Sequence, residues 1–202
     1  MQPQTFVFFG IVGSGKGTQA KLLTEFLKVK DGKECVYKGT GELFRKIAKS
    51  PENETQSVVK ELLDAGKLID DKTTNELISD VMGLQLSPDK NTIFDGYPRT
   101  ISQSEFFEEK MKFYRRENIK IIYIELSRQE AMKRNLLRGR HDDTEQGLAK
   151  RFEEYENKVI PAMNYFKSKT RYTIYTINGE QSIENVHKDI IKALGLSDSE
   201  SL

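Results

Sequence analysis

The chain has 202 residues, a length that predicts one domain with a full-sized hydrophobic core, spanning residues 1–202, rather than two independent domains. Its 32 Lys and Arg side chains nearly balance 31 Asp and Glu side chains, and a formal net charge of +1 provides no global field that would attract nucleic acid or a membrane surface. The single cysteine, Cys35, excludes an internal disulfide, and the N-terminal residues show no signal-peptide pattern. We therefore expect a cytoplasmic protein, a monomer, with no nucleic-acid or membrane partner, in which any anion-binding site is local.

Five short and almost continuously apolar runs alternate with longer segments whose apolar residues recur at helical spacing. This alternation is typical of a parallel sheet buried between helices, so the sequence predicts the α/β class, with a five-stranded parallel sheet flanked by helices. The predicted strands are Thr5 to Phe9, Cys35 to Tyr37, Thr92 to Phe94, Ile119 to Leu126 and Tyr172 to Ile177.

The first predicted strand leads directly into a glycine-rich loop, GIVGSGKGTQ at residues 10–19, and an amphipathic helix follows. Glycines allow backbone N–H groups to point inward, and the helix N-terminus adds its positive dipole end, so this context is typical of a phosphate-binding loop. Lys16 is then expected to reach the β- and γ-phosphates of a nucleotide. The strict pattern has Ser or Thr directly after the lysine, whereas here Gly17 intervenes and the hydroxyl belongs to Thr18. Glycine also suits a purely structural turn, but the lysine, the hydroxyl and the flanking elements together favour phosphate binding.

Three helical patterns lie between the second and third predicted strands, in residues 43–47, 58–63 and 77–82. Gly66 should end the second of them, because glycine tolerates the left-handed conformation found just past a helix. Three helices are more than one crossover connection needs. We therefore expect part of this region, about residues 39–83, to stand off the sheet as a helical subdomain.

The second half of the chain contains two further helical segments before the last predicted strand. Arg134 and Arg138 are four residues apart on a predicted helix and so share a face, although a solvated surface position would be the ordinary interpretation for either arginine alone. The next helix has an apolar face from residue 148 to residue 166, which Pro161 should kink or interrupt. A helix over residues 183–194 closes the fold.

Four further stretches stand where loops should follow strands or join helices: TGELFR at 40–45, GKLI at 66–69, DGYPRT at 95–100 with Gln103 after it, and RGRHDD at 138–143. Together with the glycine-rich loop, and in this order, they resemble the adenylate kinase family from about Phe6 to Leu194. The resemblance implies a P-loop NTPase type of fold and reversible phosphoryl transfer from Mg-ATP to AMP, giving two ADP. It also implies ATP and Mg²⁺ as cofactors and small nucleotides as partners. A zinc-binding long lid is excluded because Cys35 is the sole cysteine, so no structural zinc is expected.

The resemblance also implies a role for individual residues. The ATP-binding positions are Gly13, Ser14, Gly15, Lys16, Gly17, Thr18, Arg134, Arg138 and Gln181. The AMP-binding positions are Thr40, Arg45, Lys67, Leu68, Ile69, Gly96, Tyr97, Pro98, Arg99, Gln103, Arg140 and Arg151. The residues expected to act in catalysis are Lys16, Arg99, Arg138, Arg140 and Arg151. Asp95 is expected to hold Mg²⁺ through water, although Asp before Gly is also a common turn pair.

Three residues, in two parts of the chain, favour AMP over pyrimidine acceptors. Related UMP/CMP kinases usually carry alanine where this chain has Thr40, and asparagine near the positions of Thr100 and Gln103. A UMP/CMP kinase of the same family is the nearest alternative. A nucleotide-binding regulator without turnover is a second alternative, and it would predict the loss of phosphate-site residues that this chain retains.

The predicted lid, about residues 138–144, departs from the family pattern. Short-lid members usually have several residues between the positions of Arg138 and Arg140, whereas only Gly139 separates them here. On a continuous helix these two side chains would point about 200° apart and could not converge. We therefore expect a single tight turn in which a left-handed Gly139 ends the helix and delivers Arg140. Asp142 and Asp143 match a paired-acid motif, which implies that they orient the arginines.

Overall fold

The structure, a computed structural model, describes residues 3–32, 34–49, 54–86, 89–140 and 143–196. Five parallel strands form one sheet in the order β2-β3-β1-β4-β5. The strands are β1 (Thr5–Phe9), β2 (Cys35–Gly39), β3 (Asn91–Asp95), β4 (Ile119–Glu125) and β5 (Tyr172–Asn178). The α/β class and all five predicted strands are confirmed, and their bounds differ from the expected ones by at most two residues at either end.

Helices cover both faces of the sheet. In chain order they are α1 (Lys16–Asp31), α2 (Thr40–Lys49), α3 (Glu54–Asp64), α4 (Asp71–Gln85), α5 (Ile101–Phe113), α6 (Arg128–Arg138), α7 (Glu145–Glu154), α8 (Ile160–Asn164) and α9 (Ile183–Ala193). The sequence patterns had not singled out α5. In the described part of the chain, none of these helices has both the length and the apolar character needed to cross a bilayer.

Alternate residues of the central strand β1 pack into two separate hydrophobic cores, because successive side chains of a strand point to opposite faces. Phe6 and Phe8 lie in the core formed with helices α1 and α9. Val7 and Phe9 lie in the core formed with α4, α5 and α8. In the sheet, Val7 is paired with Phe94 of β3 on one side and Ile121 of β4 on the other. The residues at the centre of the sheet are buried on both faces.

The long helix predicted around Pro161 is interrupted, as expected. Helix α7 ends at Glu154, a π-helical turn covers Tyr155–Val159, and α8 begins at Ile160. In this turn the N–H of Ile160 donates to the carbonyl of Tyr155, one residue farther back than in an α-helix. The wide turn lies directly before Pro161, whose nitrogen has no proton to donate to an α-helical bond.

Helices α2 and α3 share a small core of their own. Phe44, Val59 and Ile69 are buried together there. Ile78 and Met82 of α4 instead pack into the core that contains Val7 and Phe9. Gly66 has a left-handed backbone, with φ +69°, directly after α3, as the sequence predicted. Its N–H donates to the carbonyl of Leu63, and the N–H of Lys67 donates to the carbonyl of Leu62. These two carbonyls in the last turn of α3 are therefore satisfied.

Candidate active site

A cavity of about 1030 Å³ opens at the carboxyl ends of β1, β2 and β3, the edge where parallel α/β sheets bind ligands. Most of the predicted site residues line this cavity. They are Gly13, Gly15, Lys16, Gly17, Thr18, Thr40, Arg45, Lys67, Leu68, Ile69, Asp95, Gly96, Pro98, Arg99, Gln103, Arg134, Arg138, Arg140, Arg151 and Gln181. Ser14 and Tyr97 do not line it, since their side chains face the protein interior with relative exposures of 2% and 1%.

The loop between β1 and α1 is folded as the glycine pattern predicted. Gly13 and Gly15 have φ values of +90° and +89°, and α1 begins immediately afterwards, at Lys16. The N–H of Ser14 donates to the carbonyl of Ile11 at 3.1 Å, closing the turn. Lys16 Nζ donates to the same carbonyl at 2.9 Å, so the ammonium group is held at the loop. The Ser14 hydroxyl lies 3.5 Å from Lys16 Nζ and supports the loop from within.

The charge of Lys16 depends on its surroundings. Its pKa is lowered to about 8, chiefly by burial within the loop; the carboxylate of Asp95 opposes this shift, and Arg99 and Arg138 add to it. The cavity thus brings at least three cationic groups into one electrostatic neighbourhood. An anion with several charges is the species that such a neighbourhood attracts.

Asp95, at the end of β3, faces the first turn of α1. Its Oδ2 accepts a hydrogen bond of 3.1 Å from the hydroxyl of Tyr37. A Cβ at position 17 would lie 3.1 Å from the same Oδ2 and 3.8 Å from the Tyr37 hydroxyl. Gly17 therefore leaves open the space between the helix and the carboxylate, which gives a physical reason for glycine directly after the lysine.

Two arginines that line the cavity meet at the start of α2. A Cβ at Gly41 would lie 3.3 Å from Arg45 Nη1 and 3.7 Å from Arg99 Nη2, so both guanidinium groups approach the start of α2. Arg99 Nε donates to the carbonyl of Gly96 at 2.6 Å, and the Thr40 hydroxyl donates to the same carbonyl at 2.6 Å. The pKa of Arg99 is lowered by burial and by the neighbouring arginines, with Asp95 opposing.

The amide of Gln103 is held in one orientation. Its Oε1 accepts from the backbone N–H of Arg99 at 2.8 Å, and its Nε2 donates to Asp71 Oδ1 at 2.8 Å. The other oxygen of Asp71 accepts from the hydroxyl of Thr100 at 2.9 Å. Because a backbone N–H can only donate and a carboxylate only accepts, these two partners exclude the flipped amide.

Gly139 ends α6 with the left-handed conformation that the sequence predicted, at φ +64° and ψ +37°. The buried carboxylate of Asp143 joins the arginines on either side of this turn: Arg138 Nη2 lies 2.8 Å from its Oδ2, and Arg151 Nη1 lies 3.1 Å from its Oδ1. The backbone N–H of Arg140 also donates to Asp143, at 3.4 Å. The expectation for Asp142 lies outside the described residues.

Arg134 and Gln181 each make hydrogen bonds close to their own position in the chain. Arg134 Nε donates to Glu130 Oε1 at 2.8 Å, one turn earlier on α6. Gln181 Nε2 donates to the carbonyl of Asn178 at 3.0 Å and to Asp189 at 2.8 Å. Both side chains are thus anchored by neighbours of their own segment while they line the cavity.

The residues at the site that were not identified from the sequence include Tyr37, Asp71 and Asn135, each of which contacts a predicted site residue. Asn135 is buried on α6, and its amide contacts both the glycine-rich loop and Arg138. A signal was present for two of them. Asn135 lies three residues before Arg138, a spacing that allows contact on a helix. Asp70 caps α4 by accepting a hydrogen bond from the N–H of Thr73. The carboxylate of the next residue, Asp71, is therefore available to another partner.

Comparisons with known proteins cover almost the whole chain. The family model for adenylate kinase matches residues 8–171. The chain is 30% identical over 191 residues to adenylate kinase 1 of Nostoc sp., covering 94% of this chain and 97% of the relative. It is 31% identical over 183 residues to an adenylate kinase of Oenococcus oeni, covering 89% and 93% respectively. It is also 31% identical over 186 residues to an adenylate kinase of Prochlorococcus marinus, covering 91% and 94%. The chain therefore belongs to the adenylate kinase family.

Proposed function

We propose that this chain is an ATP:AMP phosphotransferase, which moves the terminal phosphoryl group of Mg-ATP reversibly to AMP and yields two ADP. One observation carries the proposal. A single cavity is lined by the loop lysine, Lys16, and by the arginine pair of Arg45 and Arg99, with Arg138 and Arg151 also at its wall. Cationic groups from several segments of the chain, gathered in one enclosure, suit two polyanions brought together for transfer.

On the donor side, the proposed roles follow the loop geometry. Gly13, Gly15, Gly17 and Thr18 would present backbone N–H groups at the N-terminus of α1 to the β- and γ-phosphates, with Ser14 bracing the loop. Lys16 would neutralise charge on the transferring group. Arg134 and Gln181, which also line the cavity, would lie against the adenine and ribose.

On the acceptor side, Arg45 and Arg99 would hold the AMP phosphate by charge-assisted hydrogen bonds. Gln103 keeps one N–H and one oxygen lone pair beyond those used by Asp71 and Arg99, and this donor-acceptor pair matches the N1 and N6 edge of adenine. The remaining proposed acceptor residues shape the pocket or support it from behind. They are Thr40, Lys67, Leu68, Ile69, Gly96, Tyr97 and Pro98.

The transfer step needs little covalent chemistry from the protein. An oxygen of the AMP phosphate, already anionic, forms the new bond to the γ-phosphorus. The bond from that phosphorus to the β–γ bridging oxygen breaks, and its electron pair leaves on the β-phosphate of ADP. Arg138, Arg140 and Arg151 would compensate the negative charge gathered at the reacting centre.

The donor set fits a magnesium ion bound mainly through water and phosphate. Asp95 offers one carboxylate beside the gap that Gly17 leaves, and Mg²⁺ typically uses one or two carboxylates with substrate phosphates. Within the described residues, no group of three or more His, Cys, Asp or Glu side chains is placed to hold a metal. When bound at Asp95, the ion would supply positive charge that neutralises the phosphates.

We also propose that residues 39–83 and the short lid at 138–144 move to close the cavity, because phosphoryl transfer must exclude water. The separate small core shared by α2 and α3 supports motion of part of the first segment as a unit. We further propose a monomer acting on small nucleotides in the cytoplasm, and the monomer is supported by the fact that one chain supplies every residue of the proposed site.

The test offers ATP with AMP, UMP, CMP or GMP in turn and measures ADP formation. We expect AMP to be the preferred acceptor by a wide margin. The variant Arg45→Met should raise the KM for AMP by about tenfold or more, since it removes a charge-assisted bond. The variant Lys46→Met is its control, because that lysine is the exposed neighbour on the same helix. Preference for UMP or CMP would favour the pyrimidine kinase, and no turnover with any acceptor would favour a regulator.

A further inference from the structure

The side chain of Asn135 is an unusual feature of helix α6, because it is polar and has a relative exposure of 0%. Its Nδ2 donates to the carbonyl of Val12 in the glycine-rich loop at 2.9 Å, and to the carbonyl of Ala131 in its own helix at 2.6 Å. Its Oδ1 accepts from Arg138 Nη2 at 2.6 Å. One buried amide therefore joins the phosphate loop to the arginine that precedes the lid.

The orientation of this amide is fixed by its partners. Two carbonyl oxygens require the N–H₂ end, and the Arg138 guanidinium requires the oxygen end, so a flipped amide would meet repulsion at all three contacts. The loop and the amide are also in close contact, since a Cβ at position 13 would overlap Asn135 Nδ2. Gly13 thus lets the loop approach the helix closely enough for the bond to Val12.

The bond to Val12 also sets the direction of the next N–H group. The peptide bond between Val12 and Gly13 is trans, so its C=O and N–H point in opposite directions. Holding the Val12 carbonyl against α6 therefore turns the Gly13 N–H away from α6. Gly13 itself lines the cavity.

We propose that Asn135 is a positioning residue that sets two phosphate-binding groups at once: the N–H of Gly13 in the loop and the guanidinium of Arg138 before the lid. The inference rests on the proposed function for its effect on turnover. It goes beyond that function by assigning to this chain a buried link between the two anion-binding segments. Asn135 would not touch a nucleotide, and it would act only through Val12 and Arg138.

Two substitutions separate the contact of Asn135 with Val12 from its contact with Arg138. Asn135→Leu keeps a similar side-chain volume but removes both contacts. Asn135→Asp keeps an acceptor for Arg138 but places a carboxylate oxygen against the carbonyls of Val12 and Ala131. The control is Leu137→Asn, which adds an amide to the same helix at a position with 78% relative exposure. Circular dichroism and thermal melting check that each variant folds. If Asn135→Leu does not fold, Asn135→Asp still tests the proposal.

The readouts are the Kd for the imido analogue of ATP, measured by calorimetry without acceptor, and the kcat and KM for ATP and AMP. We expect both Asn135 variants to raise the Kd for the ATP analogue about tenfold, the typical effect of losing a buried hydrogen bond at a charged site. Asn135→Leu should lower kcat further than Asn135→Asp, and the KM for AMP should stay close to that of the wild type. In an Arg138→Ala background, the effect of Asn135→Leu on kcat should disappear while its effect on the Kd persists.

The inference is overturned if both Asn135 variants lower the melting temperature but leave Kd and kcat equal to those of Leu137→Asn, since the residue would then be only structural. It is also overturned if Asn135→Leu has the same effect on kcat with and without Arg138. Failure of the proposed function looks different. A wild-type chain that binds the ATP analogue but does not phosphorylate AMP would refute the phosphotransferase, while the Kd values would still decide the role of Asn135.

Discussion

The ammonium of Lys16 is the group whose charge state most directly affects donor binding, and its pKa is lowered by burial to about 8. A bound polyphosphate favours the protonated amine, so ATP binding must take up a proton wherever the free amine is neutral. We expect the affinity for ATP to be nearly constant below that pKa and to fall above it by at most about tenfold per pH unit.

Calorimetric titration with the imido analogue of ATP, in two buffers of different ionisation enthalpy, measures this proton uptake. It should be larger one unit above the Lys16 pKa than one unit below it. Lys16→Arg is the comparison, because a guanidinium stays protonated at both pH values and should remove the difference. Equal uptake at the two pH values in the wild type would contradict the lowered pKa.

Asp71 is expected to control acceptor binding through Gln103. Asp71→Ala removes one of the two hydrogen bonds that orient the Gln103 amide, so we predict about a tenfold rise in the KM for AMP with little change in the KM for ATP. Asp70→Ala is the matched control. It removes the cap of α4, which costs about 1 kcal/mol of stability, but it does not touch Gln103. A similar rise in the KM for AMP in both variants would show that helix stability, not amide orientation, is responsible.

At the level of single residues, the sequence predicted those whose role depends on a local pattern. Lys16 and Gly17 could be assigned because a strand, glycines and a helix surround them in one continuous stretch. Tyr37 could not be assigned, because its partner, Asp95, is far away in the sequence. The spacing of Asn135 and Arg138 allowed that contact, but it did not indicate the contact of Asn135 with Val12, which is also far away in the sequence. Only the parallel pairing of strands and the packing of α6 on the loop bring such pairs together.

Among the structural elements, the lid turn is the most sensitive to one substitution. Gly139→Ala places a side chain at φ +64°, and no atom of the described residues beyond its chain neighbours lies within 4 Å, so its expected cost is backbone strain of about 1 kcal/mol. We expect a much larger loss of turnover than of stability, because Arg138, Arg140 and Asp143 are all held at this turn.

Gly32→Ala is the control for the lid turn. That glycine caps α1 in the same left-handed region, at φ +62°, and also has open space around it. Both variants should lose similar stability in urea unfolding, and only Gly139→Ala should lose kcat. An unchanged kcat for Gly139→Ala would show that the backbone at this position does not place the arginines.

The spacing of apolar residues did not predict helix α5 or the form of the interruption near Pro161, and each omission has a physical reason. Helix α5 buries Phe107 and Met111 but leaves Ile101 at 48% exposure, so its apolar residues do not mark a single face from end to end. The interruption near Pro161 was expected, but its form was not. A π-helical turn absorbs the break, and sequence spacing does not distinguish that solution from a kink.

Across the whole molecule, the order of strands determines where the two proposed substrates meet. Strand β1 lies between β3 and β4, and β2 lies beyond β3, so the glycine-rich loop, Asp95 and Thr40 emerge side by side at one edge. The turn at Gly66, after α3, approaches the second half of the chain. A Cβ at Gly66 would lie 2.9 Å from the carbonyl oxygen of Gly147 in α7. The proposed AMP segment and the helix that carries Arg151 are thus in contact.

The stability of the whole fold should respond to acid through Glu108, which joins α5 to the segment after α8. Burial alone would raise its pKa, but hydrogen bonds from Lys169 at 2.8 Å and Tyr165 at 2.7 Å, with Lys112 at 3.2 Å, outweigh burial and lower the pKa to about 2. A carboxylate with a lowered pKa in the folded state stabilises the fold above its unfolded pKa. That contribution is lost as the pH falls from the model-peptide value of 4.5 towards 2.

We therefore predict that Glu108→Gln lowers the free energy of unfolding near neutral pH by about 1 to 3 kcal/mol, a range that allows for solvent screening of the partly exposed lysines. Below the folded pKa the variant and the wild type should converge. Urea unfolding at a series of pH values measures both effects, and Glu109→Gln, at the exposed neighbour on α5, is the control. If the wild type and Glu108→Gln lost stability in parallel through the acid range, the carboxylate would not be the group that links this helix to the rest of the core.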